Sequence, residues 1–473
     1  MGLIRAAIIG EYGQWIANSR RTILVMNLTQ SMGIEDTIRL VDGLVMKDKD
    51  KNNSKLMLIA DEVQAFYDRH PYPPPVTDLD DYRRRWQGED RRRADYRLYW
   101  PDRPYRDNLN ILVAGCGTAQ AARHALRRPA ALVTGIDVST TSIEHTEALK
   151  RQYHLRNLEI RQLPIEQVHE LEQRFDQIIC TGVLHHLPDP DAGLSALRKV
   201  LKPEGAMHLM VYAAYGRAGI YMLQEYCRRL GIGRSDREIR DLAHTLMALP
   251  PGHPLAHLLG EVSDFRSKAG LADALLHPQD RAYTVPQLFD FIEQAGFTFG
   301  RWLRQAPYSP QCGGLANTPH ASRLTRLPPA EQYAAIELLR GTMVRHNTIV
   351  YRSDRPGDGH SVRFDDERWQ NYVPIRLPRT LCIEERLPPG AAAVLINQSH
   401  TYTDLVLPID EAQKRLFEAI DGKGTIAEIF SSVGERGEQS NELARTFFQQ
   451  LWRYDQVVFD ASRHMENSDD GNH

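Results

Sequence analysis

Cysteine is scarce: five residues in 473, at positions 116, 180, 227, 312 and 382, with no Cys-x-x-Cys pair. An odd, scattered set argues against a disulfide framework and a zinc knuckle, and it fits a reducing compartment. Long apolar runs are missing too, and no stretch approaches the roughly 18 residues that a membrane span needs. The opening segment, MGLIRAAIIGEYGQW, has Arg5 and Glu11 inside its apolar part and no clear small-residue cleavage site, which argues against a signal peptide. Charge of one sign is not in excess. Lys+Arg number 58 and Asp+Glu 61, a net −3, so nothing draws the whole chain to nucleic acid or an anionic membrane. No internal repeat is visible. These absences leave a soluble, cytoplasmic, globular chain, 42% hydrophobic and 25% charged, long enough for two or three domains.

Texture divides what is there. Residues 1–104 read as an N-terminal helical and lid region. Within it, Lys47–Lys55 is a polar loop, and Asp61–Pro75 starts as a helix that Pro71, Pro73, Pro74 and Pro75 stop. From residue 110, short apolar runs alternate with helical stretches: Ile111–Ala114, Ala131–Ile136, Leu158–Arg161, Gln177–Cys180 and Ala206–Tyr212. That rhythm predicts repeated βα units and a parallel sheet. Residues 213–280 read as a helical insertion, and FTFGRWL and NTIVYR as two late strands suited to an antiparallel edge. The joint Ser353–Ser361 is rich in Pro and Gly and closes a domain over 105–354. An accessory domain over 362–462 follows. Its three short helices and terminal strand QVVFD suggest a small α+β, winged-helix-like module, and the tail 463–473 reads as disordered.

The stretch NILVAGCGTAQ carries the first chemical signal. An apolar strand stops at Gly115-Cys116-Gly117, where the backbone turns sharply and admits something close. The third glycine of the dinucleotide pattern is absent, with Gln120 in its place. Asp137 ends the next strand, 22 residues after Gly115, near the spacing of an acid that accepts both hydroxyls of a ribose.

Together, ILVAGCGTAQ, VTGIDVSTTSIEHT and FDQIICTGVLHHLPDPDAGLSALRKVLKPEGAMHLMVY resemble the class I S-adenosylmethionine-dependent methyltransferases, in the order that family uses. The resemblance implies a Rossmann-like α/β sheet with helices on both faces and S-adenosylmethionine as cofactor. It assigns the methionine part to Gly115, Cys116 and Gly117, the ribose to Asp137 and Val138, the adenine to Gln162 and Leu163, and the sulfonium side to Thr181 and Gly182. Three residues depart from the common pattern: Ala114 stands where many members carry an acid, Ala119 where glycine is frequent, and Gln162 where Asp is common. The LHHLPDP…LKPEG block favours this family over a nicotinamide-binding Rossmann domain.

Methyl transfer needs an in-line nucleophile and in some cases a base. His185 or His186, beyond the fourth strand, is the candidate base, against a purely turn-shaping role. Tyr67, His70 and Tyr72 are candidates for a lid over the cleft, or for a brace. Tyr212 and Tyr215, after the fifth strand, are candidates for substrate contact. No metal is expected. The basic, aromatic stretch Arg83–Trp100 is interrupted by Glu89, Asp90 and Asp95, so it reads as a solvated amphipathic helix and no nucleic acid is expected. The expected reaction is methylation of O, N or C on a small metabolite. The alternatives are a protein or RNA presented by the C-terminal module, or a non-catalytic cofactor-binding scaffold. No oligomeric state is indicated.

Overall fold

The computed structural model describes residues 51, 54–261, 265, 267–355, 362–434 and 438–462. The segment 1–50, most of the Pro/Gly joint and the tail 463–473 lie outside the described residues. The chain forms two contact units, Met1–Val63 and Gln64–His473. In the first, the described residues lie in helix, chiefly the start of a helix over 54–69. Ser54 and Lys55, expected in a loop, already belong to it. Everything below concerns the second unit.

Its centre is a seven-stranded sheet: β1 (Asn110–Ala114), β2 (Leu132–Asp137), β3 (Leu158–Gln162), β4 (Phe175–Thr181), β5 (Leu201–Tyr212), β6 (Phe297–Trp302) and β7 (Arg345–Arg352). The spatial order is β3-β2-β1-β4-β5-β7-β6. The first five strands run parallel, and β7 lies antiparallel to both β5 and β6. Every expected strand of the 105–354 region is present: five are lengthened by one to five residues, β2 is shifted by one, and β6 ends one residue early.

The apolar runs are continuous because both faces of the sheet are covered. Along β1, successive side chains enter two different cores. Leu112 and Ala114 face one, with Ile178, Leu194, Leu197, Leu209 and Leu288. Ile111 and Val113 face the other, with Ala122, Ala125, Ile179 and Ile349. Local chemistry fixes the helix starts at the carboxyl ends of the strands. Ser139 caps Thr140–Gln152 by accepting from the Ser142 amide. Asp189 caps Pro190–Val200 by accepting from the Ala192 amide, with Pro190 at the first helical position.

Among the described residues the expected insertion forms helices Ala218–Leu230, Asp236–Leu246, Pro254–Glu261 and Lys268–Leu276. They build their own core from Ile220, Leu223, Ile239, Leu242, Leu255 and Leu271, which Phe66 joins.

The Arg83–Trp100 stretch differs from its solvated expectation. It forms helices Asp80–Arg85 and Glu89–Tyr99, and the second buries Ala94, Tyr96, Arg97, Leu98 and Tyr99. Arg97, with a side chain 2% exposed, pairs with Asp460 of the C-terminal region. Arg127 and Arg128 both reach Asp95. The acids scattered through the stretch are partners, not merely diluents.

The C-terminal region has the three expected helices, Glu411–Glu418, Ile426–Val433 and Glu438–Arg453. The Thr425/Glu428 capping box is made in both directions. The terminal strand is β12 (Val457–Asp460). Four strands that the sequence analysis did not mark precede it: β8 (Val373–Arg376), β9 (Thr380–Ile383), β10 (Ala393–Asn397) and β11 (Val406–Ile409). They form a sheet β11-β10-β9 and a pair β12-β8. Ile375, Leu377 and Val458 sit in the same core as Ile111, Val113 and Ile349. Among the described residues no helix is long and apolar enough to cross a membrane.

Candidate cofactor and acceptor site

The order of the sheet reverses between β1 and β4, so a crevice opens at their carboxyl ends. Gly115 and Gly117 line it with φ of +70° and +52°, a region costly for other residues. A Cβ on Gly115 would lie 2.3 Å from Val183, on the turn after β4. A Cβ on Gly117 would lie 3.2 Å from the Tyr72 carbonyl oxygen and from Pro73. The proline-rich segment is therefore what comes close to the second glycine, and Thr118 donates to the Pro73 carbonyl at 2.8 Å.

Asp137 ends β2 beside this loop. One carboxylate oxygen accepts the Gly117 amide at 2.8 Å, the other the Ser139 amide at 3.0 Å. Burial pushes its pKa up, against the pull of these amides. The Cys116 side chain is fully buried beneath the loop, and burial raises its thiol pKa well above the usual value. What Cys116 offers the crevice is backbone. Gln162 reaches back to the Val138 carbonyl at 3.0 Å and the Thr140 hydroxyl at 2.9 Å, and the Leu163 amide donates to the Asp137 carbonyl. Gln120, where a third glycine was missed, donates to the Thr181 hydroxyl at 2.7 Å across the crevice. The Gly182 amide donates to the Met210 carbonyl. All nine residues assigned to the cofactor thus lie on the strand tips and loops of β1 to β4 around one crevice.

A second polar group gathers beyond β4 and β5. His186 is 3% exposed, and its Nδ1 lies 2.8 Å from the Gln279 carbonyl. A carbonyl only accepts, so Nδ1 carries the proton and Nε2 of the neutral ring keeps a lone pair. Asp273, 4% exposed, accepts from the Tyr67 hydroxyl at 3.1 Å and the Tyr212 hydroxyl at 3.3 Å. Burial, reinforced by Asp273, raises both phenol pKa values well above the usual one, so both stay donors. Burial also raises the pKa of Asp273. His185 is fully buried, tilted against Tyr212 with ring centres 3.9 Å apart, and both its ring nitrogens lack a partner. Burial lowers its pKa well below the usual value and keeps it neutral. Arg217 lies over the Tyr212 ring at 3.5 Å and pairs with Asp280 at 3.1 Å.

Of the five candidate lid and substrate residues, Tyr67 and Tyr212 meet on Asp273. His70 is 6% exposed with Nε2 unpartnered, and Tyr72 lies against Gly117 through its carbonyl. Tyr215 stands apart, 42% exposed on its turn. Asp273 and His277 were missed by the sequence reading. Their signal is legible in retrospect: LADALLHPQD places one acid inside an apolar helix and a histidine at its end.

The donor atoms of His186, Asp273 and His277 lie within 4.8 Å of one another, a grouping that bears on the expected absence of metal. His277 Nδ1, however, accepts the Gln279 amide at 3.1 Å. Its neutral ring therefore carries the proton on Nε2, whereas a metal ligand needs a lone pair. The three side chains thus form a compact hydrogen-bonding group beyond β4 and β5.

Residues 112–207 match the family described as a methyltransferase domain. An uncharacterized protein of Synechococcus sp. is 32% identical over 329 residues, which is 67% of this chain and 77% of that one. A ubiquinone biosynthesis O-methyltransferase of Neisseria meningitidis is 31% identical over 119 residues, 22% of this chain and 50% of that one, so the chain spans about half the length of that relative. Among solved structures, PKMT2 from Rickettsia typhi in complex with AdoHcy superposes with a TM-score of 0.58 at 15% identity, over 82% of this chain and 77% of that chain. At that identity the likeness concerns the fold.

Proposed function

The chain belongs to the class I S-adenosylmethionine-dependent methyltransferases, and from that premise we propose that it methylates an oxygen or nitrogen of a small metabolite with His186 as the base. Residues on the β1–β4 crevice fit the cofactor. Both glycines have the left-handed backbone that the sharp turn at the crevice uses, and Asp137 is a half-buried carboxylate whose oxygens each retain acceptor capacity beyond one amide. Gly115, Cys116 and Gly117 would face the methionine part, Asp137 and Val138 the ribose, Gln162 and Leu163 the adenine, and Thr181 and Gly182 the sulfonium. The cofactor supplies an electrophilic methyl on a cationic sulfur. The chain's own residues then position the acceptor and take its proton.

The observation that carries this reading is the contact of His186 Nδ1 with the Gln279 carbonyl at 2.8 Å. The Gln279 carbonyl accepts from Nδ1 and leaves Nε2 for an acceptor's proton, and Asp273 stands beside it to stabilise the positive ring formed when a proton arrives. Tyr67 and Tyr212 hold both oxygens of that carboxylate. Burial of His186 and Asp273, the latter on the last helix of the insertion, supports a small acceptor over a broad macromolecular surface.

The test uses the full chain with methyl-labelled S-adenosylmethionine and a cell extract split by dialysis. Label is expected in the dialysable fraction, and label confined to the retained fraction would move the acceptor to protein or RNA. His186→Gln is expected to slow transfer by about 10²–10⁴-fold while binding of the cofactor is unchanged. Equal loss of both would remove His186 from the chemistry.

A further inference from the structure

A cavity of about 410 Å³ lies where the β7 end of the large sheet meets the C-terminal region. The loop Ser399–Tyr402 forms one wall, and residues 342–345 with Asn347 form another. None of its lining residues is acidic. Arg304 and Arg345 both line it, and neither guanidinium meets a carboxylate among the described residues. The nearby arginines are different: Arg301 pairs with Asp455 at 3.5 Å and Arg340 with Asp404 at 3.2 Å. The acids of this region are thus already engaged; Arg304 spends one Nη1 hydrogen on the Leu303 carbonyl at 3.0 Å, and both positive charges at the cavity wall stay unneutralised.

His400 gives the second, independent observation. Its side chain is 2% exposed, and Nε2 lies 3.0 Å from Asp455. Its other nitrogen, Nδ1, is buried without a hydrogen-bond partner. Asp455 accepts from Nε2, so Nδ1 is the ring atom still open to a partner. Asn347, Ser399 and Thr401 add neutral polar groups to the same wall. No lining residue belongs to the His186 group.

We propose that this cavity binds a small hydroxylated anion, with a phosphate or carboxylate on Arg304 and Arg345 and a hydroxyl donating to His400 Nδ1. The guanidinium pair supplies the geometry that planar or tetrahedral oxyanions prefer. The unfilled nitrogen supplies the demand for a hydroxyl, which a simple inorganic ion meets poorly. The volume lies within the range of small-metabolite pockets. The site is tied to the acceptor group by the sheet itself, because Arg345 on β7 is the register partner of Tyr212 on β5.

The experiment is calorimetric titration of the full chain with glucose 6-phosphate, citrate and inorganic phosphate, at one ionic strength set with sodium chloride. Saturable binding of glucose 6-phosphate or citrate, tighter than inorganic phosphate, is expected. Which of the two binds identifies the anionic head as phosphate or carboxylate. Arg345→Gln changes an exposed side chain and should weaken that binding at least tenfold, as should Arg304→Gln. The melting temperature and AdoHcy affinity of Arg345→Gln should match those of the parent. Absence of saturable binding for all three probes overturns the proposal, as does binding undiminished in both arginine variants.

Discussion

Asp137 shows how much one side chain carries at the residue scale. It holds the Gly117 amide and the Ser139 amide at once, so the glycine loop and the start of the next helix share one acceptor. Under the proposed function it also meets the ribose. A hydrogen bond to a charged group contributes about 1.5–3 kcal/mol, so Asp137→Ala is expected to weaken S-adenosylmethionine by roughly 10- to 150-fold in calorimetry. Affinity within twofold of the parent in a folded variant would take the ribose away from Asp137. Residue-level legibility was uneven for a physical reason. Gly115, Gly117 and Asp137 announce themselves by local backbone need and fixed spacing. Asp273 is about 90 residues downstream of His186 in the chain, and nothing local says that a helix of the insertion will bring it there. The difference between His185 and His186 is equally invisible in sequence. It rests on a carbonyl at Gln279 that one ring reaches and the other does not.

At the scale of elements, β1 and β4 are locked together by Asp176. Its carboxylate accepts the Asn110 amide at 2.8 Å and meets Lys202 at 3.0 Å and Arg106 at 2.5 Å. Burial alone would raise its pKa, but these three donors outweigh burial and hold the pKa below the usual carboxylate value. A depressed folded pKa means the charged form stabilises the fold. That contribution is complete above the unfolded value, about 3.9, and is lost as pH falls through the lower folded value. Asp176→Asn is therefore expected to cost about 1–3 kcal/mol at pH 7, with the gap to the parent shrinking below about pH 4. Denaturant unfolding at several pH values measures it, and a gap that widens with acid would refute the assignment. Elements themselves were legible where they were long or apolar on both sides, as β1, β4 and β5 are. The four strands β8 to β11 were not. Each has four or five residues, and β9 leaves Leu381 and Cys382 exposed, so it offers neither a run nor an apolar alternation.

For the whole molecule, the sequence places a joint at 353–361, and the packing shows what spans it. Val458 of β12 and Ile375 of β8 bury against Ile111, Val113 and Ile349 of the large sheet. Asp455 accepts the Gln305 and Ala306 amides at 2.8 and 3.0 Å. The buried pair Arg97–Asp460 joins the two regions again. A Pro/Gly-rich connection marks where the chain is free to bend, not whether the parts on either side have separate cores. Heating the full chain is therefore expected to give one cooperative transition. Asp460→Ala would leave Arg97 buried and unpaired, at a cost of about 3–5 kcal/mol, and should lower that single transition as a unit. Replacing both Arg97 and Asp460 by Leu removes the stranded charge and should recover much of the loss. Calorimetry of the parent, the single variant and the double variant decides the matter. Two resolved transitions, with only the smaller one moved by Asp460→Ala, would mean that the C-terminal region folds on its own and merely rests on the sheet.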